Sequence, residues 1–240
     1  MDNYEKNIQK QVQAWRKEML RKPSFFNALS KRLQTKINSY IPEKVHSAIT
    51  MAIKQMIKGV LFGAEKITSH PLPNADFEAR EILAEEKIGF YQKTASIEGG
   101  LTGAGGFLLG LADFPLLLSI KIKLLFEIAA AYGYDVADYK ERLYILHIFQ
   151  LAFCSHQQRR NVFVQMSNWN YTSQLLPQDI NQLDWRTLQQ EYRDYIDLAK
   201  MAQLVPVIGA PVGVVVNYRL MRKLGDTAKN AYRMRKLDDE

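Results

Sequence analysis

The run Gly99–Pro115, GGLTGAGGFLLGLADFP, places six glycines within twelve residues and follows them with a leucine-rich stretch holding one aspartate and one proline. Three readings compete for it. A phosphate loop needs a glycine-rich turn ending in Gly-Lys-Ser/Thr, because a lysine and a magnesium-binding hydroxyl must reach the phosphates. Here Gly110 is followed by Leu111 and Ala112, which supply neither. A dinucleotide fingerprint needs a preceding strand and an acid on the next one, whereas the flanking pattern is helical on both sides. A membrane span is the second reading. Leu101–Ile120 is about long enough to cross a ~30 Å hydrocarbon core, but Asp113 in its middle costs roughly 2.5–3.5 kcal/mol at a bilayer centre. Close helix packing is the third. Gly99 and Gly103, like Gly106 and Gly110, are four residues apart, so each pair shares a helical face. Gly209 and Gly213 repeat that spacing in a second apolar run, LVPVIGAPVGVVV at 204–216, whose thirteen residues and two prolines suit a buried or interfacial helix better than a span and leave a re-entrant or shallowly inserted hairpin open. Each glycine costs about 1 kcal/mol of helix stability against alanine, a penalty that backbones in close approach would offset. The reading adopted is two glycine-faced helical segments meeting in the core. Asp113 is expected to cap a new helix with Pro115 in its first turn.

Outward from this stretch the pattern stays helical. Ile8, Val12, Trp15 and Met19 recur at helical spacing, then Phe26, Leu29, Leu33 and Ile37, and after Pro42 the stripe Val45, Ile49, Ala52, Met56 and Val60. Lys44, Lys54 and Lys58 lie off that last stripe, which makes a basic amphipathic helix. HPLPNAD at 70–76 is a loop, with Asp76 the N-cap of a helix through about Thr94. Gly133 stands where a left-handed cap would close the helix after Pro115. Asp135 or Asp138 caps the next helix, which carries Leu143, Leu146 and Gln150. Further helices are expected at about 158–168, from Asp184, and from about Ile208 towards Lys236, with 167–184 loop-like. No run of alternating strands is present. The fold class is therefore all-α, a multi-helix bundle with an N-terminal helical extension over 1–40 and the main domain over 41–240.

The net charge of +7 is uneven. Residues 1–60 carry twelve Lys/Arg against four acids, 61–216 thirteen against seventeen, and 217–240 seven against four. Basic ends around an acidic middle suit an anionic surface. The lone Cys154 forms no internal disulfide, in keeping with a reducing compartment. The first residues lack the apolar core of a secretory signal, so a cytoplasmic location is expected.

Among polar residues, Ser119, Lys123 and Glu127 form a wet stripe at 100° per residue, while Lys121 points the other way among Leu117, Leu118, Leu124 and Leu125. Lys121 could pair with Asp113 or hold a lipid phosphate, or extend its amine to the surface. Asn217 and Arg219 follow the second apolar run, where Arg219 could clamp a carboxylate or phosphate. Asp113, Lys121, Asn217 and Arg219 are thus the candidate ligand-binding residues. His147, Cys154 and His156 invite a metal reading, but a helix turns Cys154 and His156 about 200° apart, and no metal or cofactor is expected. Glu85, Glu86 and Glu98 lack the Glu-x-x-His partners of a di-iron bundle. No nucleophile turn identifies a hydrolase. Arg159 and Arg160 form a small basic patch without any nucleic-acid motif, so nucleic acid is not an expected partner.

Glu98–Asp135 and VPVIGAPVGVVVNYRL at 205–220, led in by AEEKIGFYQKT at 84–94, resemble the EcsC protein family over roughly residues 40–236. The resemblance implies a protein encoded beside an ABC transporter and carries over no catalytic residue. The expected function is a non-enzymatic accessory or binding protein, peripheral at the cytoplasmic face of the membrane, associated with transporter components or anionic lipid. The alternative is an enzyme acting on a lipid or amphiphile through Asp113, Lys121 and Arg219.

Overall fold

Short polar signals set the helix ends. In the computed structural model, which describes residues 3–21, 43–62, 70–104, 106–154, 158–182 and 210–239, the Asp76 carboxylate accepts a hydrogen bond from the Ala79 N–H at 2.7 Å, as an N-cap does. Eight α-helices are found among the described residues: α1 Asn3–Leu20, α2 Glu43–Phe62, α3 Phe77–Ala104, α4 Gly106–Ala131, α5 Tyr139–Phe153, α6 Arg159–Ser167, α7 Trp169–Thr172 and α8 Ala210–Asp239. No strand occurs among them. The protein is all-α.

The turn between α4 and α5 shows how sequence dictates geometry. Gly133 has φ 87°, a left-handed conformation that a side chain resists. Its N–H donates to Ala130 O at 2.9 Å, and the Tyr134 N–H reaches Ala129 O at 3.0 Å, the paired bonds of a Schellman cap. The Arg80 guanidinium occupies the space a Gly133 side chain would need. It donates to Leu72 O at 3.0 Å and Ala131 O at 3.1 Å, fastening the 70–76 loop to the end of α4. Both expected aspartates then serve: Asp135 accepts from the Ala137 N–H, and Asp138 caps α5 through the Lys140 N–H at 2.9 Å.

Two boundaries differ from the sequence reading. Helix α3 continues past Thr94 through Gly99 and Gly103 to Ala104, and α4 runs unbroken from Gly106 across Asp113 and Pro115. Asp113 therefore lies inside a helix rather than at its start. Pro115 is exposed, and it lacks the N–H that would bond the carbonyl four residues earlier. The 167–184 stretch also folds more than expected: Trp169, 4% exposed, anchors α7 against Tyr144 and His147 at centroid distances of 5.2 and 5.3 Å. The stripe at 26–37, the helix expected from Asp184, and the boundary expected near residue 40 lie outside the described residues.

Helices α3 and α8 form the spine. They run antiparallel, since residue numbers rise along one as they fall along the other: Glu81 meets Arg233, Glu85 meets Lys229, Ile88 meets Gly225, and Gln92 meets Tyr218. At the tightest point a Cβ on Gly225 would lie 2.6 Å from Ile88 Cγ1, so only glycine allows this approach. Leu124, Leu125 and Ile128 of α4 and Tyr144, Ile145, Ile148 and Phe149 of α5 complete the buried core. Helix α1 joins it through Ile8, Val12 and Met19. Trp15 meets Phe163 of α6 edge-on at 5.3 Å, and Arg16 pairs with Asp238 at 2.5 Å.

Candidate functional site

The two ends of the α3/α8 spine are chemically opposite. Towards the end of α8, charges neutralise each other. Glu81, 4% exposed, accepts from Arg233 Nε at 2.7 Å and from the Tyr132 hydroxyl. Glu141 accepts from the Tyr232 hydroxyl at 2.7 Å and Arg235 at 2.8 Å, and the Arg235 guanidinium stacks 4.0 Å from the Tyr134 ring and 4.4 Å from that of Tyr144. Burial pushes the Glu141 carboxyl up, opposed by the Arg235 charge and the Tyr232 hydrogen bond. Burial also raises the Tyr144 and Tyr232 hydroxyls well above the usual range. In this closed cluster the carboxylates are paired, although Arg235 Nε has no hydrogen-bond partner among the described residues, and such a network fixes helices in place.

The glycine-rich end is different. Lys121 of α4 is fully buried, and its Nζ donates to Asn217 Oδ1 at 3.2 Å and Leu117 O at 3.4 Å. No carboxylate pairs with it among the described residues, and burial lowers the amine to about 7. Asn217 is itself 1% exposed. One residue further, the Tyr218 carbonyl accepts from Gln92 Nε2 at 3.3 Å. Consecutive residues of α8 are thus tied to α4 by a buried polar contact and to α3 by a part-buried one, which fix the rotation of α8 about its axis. That rotation turns Val214, Val215, Tyr218 and Arg219 outward.

These four, with Lys93, Ser96 and Ile97 of α3, line an open groove of about 490 Å³ whose accessible walls are almost wholly apolar. Ile97 is 64% exposed, Tyr218 50% and Val215 49%, far more than large apolar side chains show inside a core. Lys93 and Arg219 are exposed and form no ion pair among the described residues. Other cations of the same two helices are paired: Lys87 with Glu127 at 3.0 Å, and Arg222 with Glu85 and with Asp226.

The structure brings together two of the four candidate residues, Lys121 and Asn217, and holds Arg219 apart on the surface. Lys121 does not extend to solvent. Asp113 lies in α4, and its side chain is outside the described residues. Gly99 and Gly103 fall in α3, Gly106 and Gly110 in α4, and Gly213 in α8, while Gly209 lies outside the described residues. His147 is pushed down by burial, with its Nδ1 2.8 Å from Leu143 O. Cys154 Sγ donates to Leu151 O at 3.4 Å, and His156 is outside the described residues. Among the described residues no group of three His, Cys, Asp or Glu is placed to hold a metal. Arg159 reaches Glu18 at 3.9 Å. Sequence reasoning missed Lys93, Ile97 and Gly225. Gly225 was legible as an isolated glycine in a helical pattern; the other two follow only from the α3/α8 register.

An all-helical bundle with an antiparallel α3/α8 spine and a cation-flanked apolar groove is the class of protein defined here. Residues 6–237 match the EcsC protein family, and the chain belongs to that family. It is 44% identical over 226 residues to Protein EcsC of Bacillus subtilis (strain 168), covering 94% of this chain and 93% of that protein. It is also 25% identical over 248 residues to the uncharacterized protein YdbA of the same organism, covering 95% and 91%. No solved structure matches it. No helix among the described residues is long and apolar enough to cross a membrane.

Proposed function

We propose that this protein is a non-enzymatic accessory protein that docks on the cytoplasmic face of a membrane carrying anionic lipid, beside the ABC transporter that its family resemblance implies. The observation that carries this reading is the pair of cations, Lys93 and Arg219, without an ion-pair partner among the described residues, flanking an exposed apolar groove. Apolar side chains at a membrane surface gain free energy by leaving water, and an aromatic such as Tyr218 suits the interface, with its ring in the apolar zone and its hydroxyl in the wet one. Each basic residue near an anionic leaflet adds about 1 kcal/mol, and Lys93 and Arg219 are two such residues at the groove. The buried Lys121 does not face the groove as a reactive amine would, so an enzymatic role through Asp113, Lys121 and Arg219 has less support.

Co-sedimentation with vesicles tests the proposal. The protein should pellet with vesicles rich in phosphatidylglycerol at low salt, bind phosphatidylcholine vesicles weakly, and be released from the anionic ones as salt shortens the Debye length. Equal binding to both lipids, or none to either, would refute it.

A further inference from the structure

We infer that the groove between α3 and α8 is a seat for one anionic lipid, with the head between Lys93 and Arg219 and the upper part of an acyl chain on Ile97, Val214, Val215 and Tyr218. This rests on the membrane-docking reading for the source of the ligand, but it makes a narrower claim: a discrete site with one occupant.

Three observations converge on it. First, the lining divides into two chemistries. Its accessible walls are nearly all apolar, yet a lysine from one helix and an arginine from the other border them. A wholly apolar partner would leave both cations unmatched, and a free anion would leave the floor bare. An anionic amphiphile satisfies both. Second, neither cation forms an ion pair among the described residues, whereas Lys87 and Arg222 on the same helices are engaged by Glu127, Glu85 and Asp226. An arginine fork suits a phosphate through two parallel hydrogen bonds, and a lysine adds a point charge. Third, the size limits the occupant. At 1.5 Å per residue, Lys93 to Ile97 spans about 6 Å and Val214 to Arg219 about 7.5 Å, enough for the first several methylenes of a chain and not for its whole length. The groove is also open, so the rest of the chain continues outside it, as it would for a lipid still anchored in a bilayer. The wall is held rigid from behind, because Asn217 is locked to Lys121 and the Tyr218 carbonyl to Gln92. A preformed wall spares the ordering cost that weakens binding to flexible surfaces.

The experiment uses octyl phosphate below its micelle-forming concentration, titrated into the full chain by calorimetry, with inorganic phosphate and octanol titrated separately. The seat predicts saturable one-to-one binding of octyl phosphate, at least about tenfold tighter than either half alone. Val215→Asp, and the pair Lys93→Glu with Arg219→Glu, should each weaken it by about tenfold or more. These positions are exposed, and unchanged thermal melting would verify that the fold is intact. Binding equal to that of inorganic phosphate, equal to that of octanol, or indifferent to both variants would overturn the seat. The same preparations are assayed on phosphatidylglycerol vesicles. Vesicle binding without saturable octyl phosphate binding removes the seat and leaves membrane docking standing. The converse result upholds the seat and removes membrane docking.

Discussion

Lys121 is the residue whose environment is hardest to reconcile with its charge. A lysine fully removed from water, held by an amide oxygen and a helix carbonyl, loses most of its hydration for two neutral hydrogen bonds. Its amine, lowered to about 7 by burial, stands below the ~10.4 of an exposed lysine. Between these values the unfolded chain binds more protons than the folded one, so stability rises with pH from about 7 to about 10 by up to ~1.4 kcal/mol per pH unit. The penalty is fully present below pH 7, where the folded amine is charged. The buried tyrosines, raised above their usual range, stay protonated in the folded chain and oppose this rise only near pH 10, where unfolded tyrosines begin to ionise. Lys121→Met removes the charge and costs the Asn217 oxygen a donor, a loss of about 1–3 kcal/mol. Urea unfolding from pH 6 to 10 should therefore show a flatter profile for Lys121→Met than for wild type, with the mutant gaining on wild type as pH falls to 7. Parallel profiles would mean that Lys121 has no depressed amine.

At the scale of elements, the α3/α8 contact turns on Gly225. Alanine there gains about 1 kcal/mol of helix propensity, but its methyl would sit 2.6 Å from Ile88 Cγ1 in a fully buried position. Overpacking of that kind costs about 1–3 kcal/mol, so Gly225→Ala should lower stability on balance. Ile88→Ala alone should cost about 2–5 kcal/mol by leaving a cavity. The double mutant should be more stable than the two single losses added together, because each change relieves the other; strict additivity in chemical denaturation would contradict the contact. The same antiparallel register makes a second prediction. Gly99 lies eleven residues beyond Ile88 and Gly213 twelve before Gly225, so a register carried on unchanged sets them level. In a Cys154→Ser background, Gly99→Cys with Gly213→Cys should form a disulfide on oxidation, which requires Cα atoms within about 7 Å. Failure to cross-link would separate the two glycine segments. These elements also show what the sequence made legible. Asp76, Gly133 and Asp138 were readable because capping is settled within a few residues by one side chain or one positive φ. The passage of α3 through Gly99 and of α4 through Pro115 was not, because glycine and proline read locally as helix breaks. Phe90 and Ile97, 62% and 64% exposed, sit near Ile88 and Ala95, which are fully buried. Periodicity finds such faces without saying which of them meets the core.

For the whole molecule, the two ends of the spine are asymmetric. At one end of the spine Arg233, Arg235 and Lys229 are consumed by Glu81, Glu85 and Glu141. At the other, Lys93 and Arg219 border exposed apolar side chains. A membrane should therefore meet one end only. The most direct measurement places an environment-sensitive fluorophore on either of two cysteines, Ile97→Cys at the groove or Leu175→Cys beyond α7, each in the Cys154→Ser background. Leu175 is 68% exposed, comparable to Ile97. On addition of phosphatidylglycerol vesicles containing a bilayer-embedded quencher, the account predicts a blue shift and quenching of the probe at 97 and no change at 175. Quenching at 175 with none at 97, or equal responses at both, would contradict it.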